Sequence, residues 1–218
     1  MPRYPPRIER RGLSCKLMSS PKIDLHFPVT GRHIPIDHGY PLYSSLSRVL
    51  DRPGDPWLHD SDDLGVHLIR GRHAGPGKLL LTTHSRLTLR LAAERIPAFL
   101  TLAGKTLQIG DERIHLGIPQ SAILFPAANL YAHLVTTKNG QDEVRFDEEI
   151  ARQLEALGIQ GKPQRGPRRA FRIKEKRVVG HTLLVANLTA EESIRLQEAG
   201  LGGRRKLGCG VFVPWEGK

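Results

Sequence analysis

Cysteine is nearly absent from this chain of 218 residues: Cys15 and Cys209 stand far apart and make no CxxC pair. That spacing argues against a disulfide scaffold or a zinc ribbon, and makes a reducing cytoplasm the expected compartment. Aromatic residues are few as well, at 6%, which argues against gripping single strands by base stacking. No apolar run reaches membrane-spanning length. The first 20 residues carry Arg and Pro where a secretory leader would carry an apolar stretch. They read as a flexible basic arm, with Met18 as an alternative start. Enzyme signatures are missing too: there is no P-loop, no dinucleotide fingerprint, no HExxH and no GxSxG. No nucleotide cofactor, no metal ion and no serine triad are therefore expected.

Positive charge, by contrast, is abundant and unevenly placed. The formal net charge is +11. Residues 161–218 hold 13 Lys and Arg against 5 Asp and Glu, while the first 160 hold 20 against 17. A solubility device would be spread evenly; charge concentrated in the last quarter points to nucleic acid as the partner. A merely solvated basic face and an anionic membrane surface are the competing readings.

Two clusters carry this charge. Residues 162–177 hold eight cations and one acid, with Arg168, Arg169, Arg172 and Lys174 on an expected hairpin that suits RNA phosphates. Residues 200–210 place Gly200, Gly202, Gly208 and Gly210 around Arg204, Arg205 and Lys206. Glycine allows positive φ and close backbone approach, and the cations suit a polyanion. Gly200 alone reads as the left-handed cap of the preceding helix.

The element order is as informative as the clusters. Residues 23–29 alternate as a strand, and Leu42, Leu46, Val49 and Leu50 recur at helical spacing after Pro41. Strands are expected over 64–69 and 79–91, a helix over 92–102 with Pro97 in its first turn, and a hairpin over 105–118. The order then repeats. Residues 121–137 are strand-rich, 142–157 form a helix stopped by Gly158, and 171–173 and 178–185 are strands. Thr189 and Glu192 make a capping box for a helix to Ala199, and 211–213 is the last strand. The expected fold is α+β: two tandem ferredoxin-like (RRM-like, βαββαβ) domains, over 21–119 and 120–218, with a C-terminal glycine-rich loop.

Ten histidines offer general acid–base chemistry near neutrality, and composition alone does not choose among them. A resemblance does. The spacing of Gly200, Gly202, Gly208 and Gly210 resembles the glycine-rich signature of CRISPR-associated RAMP proteins. Phe27–Gly31, Ile36–Tyr43, Trp57–His59, Val178–Leu184 and Leu188–Ser193 resemble their repeat-RNA endoribonucleases, in the short myxobacterial subtype. The resemblance implies two ferredoxin-like domains and a metal-independent cut, in which a ribose 2′-hydroxyl attacks the adjacent phosphate. The ends left are a 2′,3′-cyclic phosphate and a 5′-hydroxyl. It implies a histidine after the first helix as general acid or base; His59 occupies that place, with His38 and Tyr43 as alternates. Ser47 stands where some members carry an assisting tyrosine. The implied partners are CRISPR repeat RNA and other CRISPR effector subunits. The rival within the same superfamily is a non-catalytic RNA-binding scaffold.

Overall fold

The structure is a computed structural model. It describes residues 20–51, 57–60, 64–215 and 217, with the backbone alone at His59 and Asp60. The expected basic arm, Ser20 apart, lies outside the described residues.

Strand β1 (Lys22–Thr30) buries Ile23, Leu25, Phe27 and Val29 and turns the residues between them outward, the period of a half-buried strand. A short β2 (His33–Pro35) leads into α1 (Gly39–Leu50), which buries Leu42, Leu46 and Leu50 as one stripe. One turn of helix, α2 (Trp57–Asp60), is followed by β3 (Gly65–His67), β4 (Arg72–His73), β5 (Lys78–Leu80) and β6 (Arg86–Ala92). The strand expected over 79–91 is therefore two strands. The turn between them is closed by Ser85, whose hydroxyl accepts from Thr82 N and donates to Arg70 O. Polar turn chemistry over Thr82–Ser85 beats the long strand pattern there.

Helix α3 (Ile96–Leu100) takes Pro97 in its first turn, and β7 (Thr106–Ile109) and β8 (Glu112–Leu116) form the expected hairpin. Strand β9 (Gln120–Ile123) follows. The first sheet runs β3-β6-β1-β8-β7, antiparallel throughout. One edge of β1 is shared: Val29 and Thr30 pair with β8, and Ile23–His26 pair with β9. Residues 121–123, expected to open the second half, thus complete the first sheet. The backbone groups on that stretch of β1 need partners, and β9 supplies them. Beside this sheet, β2, β5 and β4 make a small three-stranded sheet of their own.

The second half contains β10 (Leu130–Val135), α4 (Glu143–Ala156), β11 (Lys162–Ile173), β12 (Lys176–Ala186), α5 (Ala190–Ala199) and β13 (Val213–Pro214). Its sheet runs β11-β12-β10-β13. Asp142 caps α4 by accepting from Arg145 N, and both bonds of the Thr189–Glu192 capping box are present at α5. Caps of this kind contribute about 1 kcal/mol each. Strand β11 begins nine residues before the expected 171, because its proline and glycine content hides it. As an edge strand it tolerates Pro163 and Pro167, and the pairing slips at a bulge between Arg165 and Arg168. Gly166 lies in that bulge, where a methyl group would stand 2.2 Å from Thr182 Oγ1.

Each half has its own core, and Arg90 of β6 joins them. Only 3% exposed, Arg90 donates to both Asp24 carboxylate oxygens at 2.8 and 2.9 Å. It also donates to the carbonyls of Phe212 at 2.6 Å and Gln197 at 3.1 Å. Burial pushes the Asp24 carboxyl upward, but the bonds with His67 and Arg90 outweigh it and hold the group well below the usual carboxylate range. The joint is an ion pair within the first sheet whose guanidinium also donates to two backbone carbonyls of the C-terminal segment.

Candidate active site

The C-terminal loop between α5 and β13 is held by its glycines. Gly200 follows α5 at φ 65 and ψ 180, so it is not the left-handed cap expected of it; that conformation is nonetheless one that glycine adopts readily. A methyl group would sit 2.4 Å from Gly210 O at position 200, 2.4 Å from Thr136 O at 202, and 1.9 Å from Leu201 O at 210. These contacts let Gly210 N donate to Leu134 O and Gly203 N to Thr136 O, which stitches the loop onto β10. Gly202 N donates to the Gln153 side chain of α4. Gly208, at φ 88, packs against Leu68 of the first half, and Gly39 at the start of α1 closes on Leu207 O in the same way. The loop is wedged between the two halves.

This wedge creates an open cleft of about 480 Å³. Tyr40 and Tyr43 of α1 line one wall; Gly202, Gly203, Arg204, Arg205 and Lys206 line the other. Ile173, at the end of β11, reaches its rim, which brings the turn carrying Lys174 near. Arg204 is exposed in a left-handed conformation at φ 63. Arg205 also serves the fold, donating from Nη1 to Ala199 O. Of the candidate site residues, Tyr43, Arg204, Arg205 and Lys206 line this one cleft. Tyr40 was not anticipated, although its spacing of three from Tyr43 puts both on one helix face.

His38 does not join them. It is 1% exposed, and both ring nitrogens are committed to the backbone. Nδ1 faces Pro35 O at 2.9 Å and Ile36 O at 3.0 Å, while Nε2 accepts from Ile69 N at 2.9 Å. Burial holds it below its ordinary value, against the raising effect of those carbonyls. A neutral ring with no nitrogen to spare cannot shuttle a proton, so His38 is withdrawn as an alternate. Its work is to pin the exits of β2 and β3 beneath the loop.

His59 lies on α2, and its side chain lies outside the described residues. The helix itself is well anchored. Asp51, just past α1, accepts from Leu58 N at 2.9 Å and from the Ser47 hydroxyl, and Trp57 Nε1 donates to Leu50 O at 2.9 Å. Trp57 meets the Phe99 ring edge-on and Leu58 is fully buried. Ser47 thus has a local task as a support for Asp51.

Arg168 and Arg169 lie further along the β11–β12 hairpin, away from the cleft's lining, and Arg172 N donates to Asp37 of the first half. A second groove, of about 340 Å³, opens on the outer face of the first sheet. His26, His67 and His84 line it with Arg70 and Arg86. Its signal in sequence was the outward set of β1, where Asp24 and His26 alternate with the core residues. Among the described residues no group of three His, Cys, Asp or Glu side chains stands together as metal donors, and no helix is long and apolar enough to cross a membrane.

The sequence profile of the family described as Cas6 Crispr matches residues 23–217. The chain is 43% identical over 192 residues to the CRISPR-associated endonuclease Cas6 of Myxococcus xanthus strain DK1622, covering 88% of this chain and 81% of that one. The chain belongs to the Cas6 family. Solved structures agree on the fold. A Cas6-related protein from Pyrococcus furiosus superposes with a TM-score of 0.66 at 15% identity, over 90% of this chain and all of that one. A RAMP protein described as binding different RNA substrates superposes at 0.62 and 15% identity, over 87% and 98%. The glycine loop that carried the resemblance to RAMP proteins places Arg204, Arg205 and Lys206 along the cleft.

Proposed function

We propose that the chain is an endoribonuclease that cuts CRISPR repeat RNA in precursor transcripts. The observation that carries this reading is the cleft itself: two tyrosines on α1 face three cations on the glycine loop. It occurs in a chain 43% identical to a CRISPR-associated endonuclease. An RNA phosphate at Arg204–Lys206 would have its negative charge balanced by cations, which matters most in the transition state where charge builds on the phosphoryl oxygens. The 2′-hydroxyl loses its proton and attacks the neighbouring phosphorus. The bond to the 5′-oxygen breaks and that oxygen gains a proton. His59 is the proposed proton carrier, Tyr43 or Tyr40 the hydroxyl that orients the phosphate, and Asp51 the group that fixes α2. The reaction as written consumes no metal ion. Arg168, Arg169, Arg172 and Lys174 are the proposed grip on the repeat stem, where hairpin cations suit an A-form backbone.

The architecture that supports this is a pair of ferredoxin-like units. The second sheet supports the reading directly: its first strand, β10, lies between the third and the fourth, and the second, β11, stands at the edge. In the first sheet β1 likewise lies beside β6, with β3 at the edge beyond it, and β8 and β9 share its other side. The proposed boundary lies after β9, near residues 124–129, rather than at Pro119.

Incubation of the purified protein with the repeat RNA of its own genome in EDTA tests the reaction. The expected products carry a 2′,3′-cyclic phosphate and a 5′-hydroxyl. His59→Ala is expected to stop cleavage while RNA binding persists, and Asp51→Ala to slow it. Full cleavage by His59→Ala removes His59 from the mechanism, and a strict need for Mg²⁺ overturns the reaction type.

A further inference from the structure

The chain contains a second stretch in which glycines alternate with cations, Arg70-Gly-Arg-His-Ala-Gly-Pro-Gly-Lys78, and the cleft does not use it. It forms β4, an open turn and β5. Register fixes which side chains share a face. Arg72 pairs with Leu80, and Leu80 with His33, so these three lie in one row across the small sheet. Lys78 pairs with Pro35 in the next row on the same side. The opposite side is marked by Ile34, which is fully buried. The outer face therefore shows Arg72, His33 and Lys78, with exposed Arg32 at its corner.

Acid is scarce on this face. Glu112 pairs with Lys78 at 2.8 Å, and its carboxyl is held below its ordinary value first by that bond, and further by the nearby charges of His33 and Arg32. Arg32 and Arg72 have no ion-pair partner among the described residues. Exposed cations that outnumber the acid beside them repel one another, a cost that an anion from outside relieves.

The face is also continuous with the basic hairpin. Ile36 N donates to Gly77 O in the β4–β5 turn, and the next residue, Asp37, accepts from Arg172 N of β11. At the other end Arg70 and Arg169 both act on His133 of β10, which partial burial and then those two charges hold below its ordinary value. The turn glycines are open: nothing stands within 4 Å of a methyl group at Gly75 or Gly77, both at positive φ. An extended phosphate backbone can approach such a turn closely.

We propose that the outer face of the β2–β5–β4 sheet, with Arg32 and Arg72 as its anchors, is a further RNA-backbone contact. It takes the strand that leaves the β11–β12 hairpin. Phosphodiesters rather than bases are the ligand, because the face offers cations and no exposed aromatic ring. This rests on the reading of the chain as an RNA-binding nuclease and extends its footprint beyond the cleft.

The test is a salt titration of binding with the double variant Arg32→Ala/Arg72→Ala. Both side chains are exposed, so an unchanged melting temperature verifies the fold. Affinity for repeat RNA at 0.15 M salt is expected to fall about fivefold to tenfold, and the slope of log affinity against log salt to become shallower by about 1.5. A shuffled RNA of the same length is expected to lose the same factor, since phosphates carry no sequence. The charge-matched control Arg145→Ala/Arg152→Ala, on the outer side of α4, is expected to change affinity less than about twofold. Unchanged affinity and slope in the first variant overturn the proposal and leave the face to an acidic protein partner. Equal loss in the control overturns it too, by reducing the effect to net charge. Cleavage by the wild-type protein is scored in parallel, so failure of the nuclease reading is told apart from failure of this one.

Discussion

The two glycine-and-cation stretches of this chain resemble each other in sequence and differ in what their glycines do. At residues 200–210 the glycines are filled-in space: backbone carbonyls stand 1.9–2.4 Å from where a methyl group would be at 200, 202 and 210. At residues 71–77 only Gly71 is so placed, 2.6 Å from Leu80 O, while Gly75 and Gly77 face nothing. The first stretch is a wedge whose shape is set by contact with both halves. The second is a hairpin turn whose shape is set by φ alone. Composition does not separate these cases, because a cramped glycine and a free one have the same side chain.

The sharpest way to break the comparison is Gly210→Ala. Position 210 combines φ +65 with a carbonyl at 1.9 Å, so alanine must both adopt a strained backbone and push Leu201 away. The expected loss is about 3 kcal/mol, at the large end for a single substitution. It is read as a drop in urea midpoint with unchanged slope, together with weaker cleavage as the cations leave the cleft. A variant as stable as the wild type would show that the loop is not wedged.

Much of the fold could be read in advance, and for a physical reason. Alternating Ile23, Leu25, Phe27 and Val29, the stripe of Leu42, Leu46 and Leu50, and the Thr189–Glu192 box each record a local rule, and each element formed where that rule put it. What stayed hidden was decided by distant partners. Strand β11 exists because β12 lies beside it, not because Pro163, Gly166 and Pro167 favour a strand. β9 belongs to the first sheet because β1 has an edge to satisfy. The site shows the same division. Tyr43 and the loop cations were legible as motifs, whereas His38 carries a motif's signature and turns out to be a buried brace, a fact that only Ile69 N and two carbonyls reveal.

His38 gives the next largest effect, and it sharpens the comparison because it sits beneath the wedge. Its Nε2 accepts from Ile69 N, next to Leu68 on which Gly208 packs, and protonation would turn that acceptor into a donor. Burial lowers its folded value below the unfolded value near 6.5. Between the folded and unfolded values the unfolded chain binds more protons, so stability is complete above about pH 6.5 and falls as the pH drops toward the folded value. The slope from this one group is at most about 1.4 kcal/mol per pH unit. Buried His67 is displaced in the same direction and adds to it. Thermal melts at pH 7, 6 and 5 are expected to show a falling midpoint, and His38→Gln to begin lower with a shallower fall. Parallel slopes for the two proteins would remove His38 from the acid response.

The smallest effect is expected from Gly77→Ala. The backbone at φ +71 resists an alanine, but no atom obstructs its methyl group, so the cost is the left-handed conformation alone, about 1 kcal/mol. Asparagine tolerates that conformation better, so Gly77→Asn is expected to recover part of the loss. At Gly210 asparagine is expected to be as damaging as alanine, because easing the torsion angle leaves the carbonyl at 1.9 Å in place. The pattern to measure is therefore two melting temperatures at each site. Recovery by asparagine at 77 and none at 210 means that one glycine is kept for its φ and the other for its emptiness. Equal behaviour at both positions would mean that the two loops are held by the same physics after all.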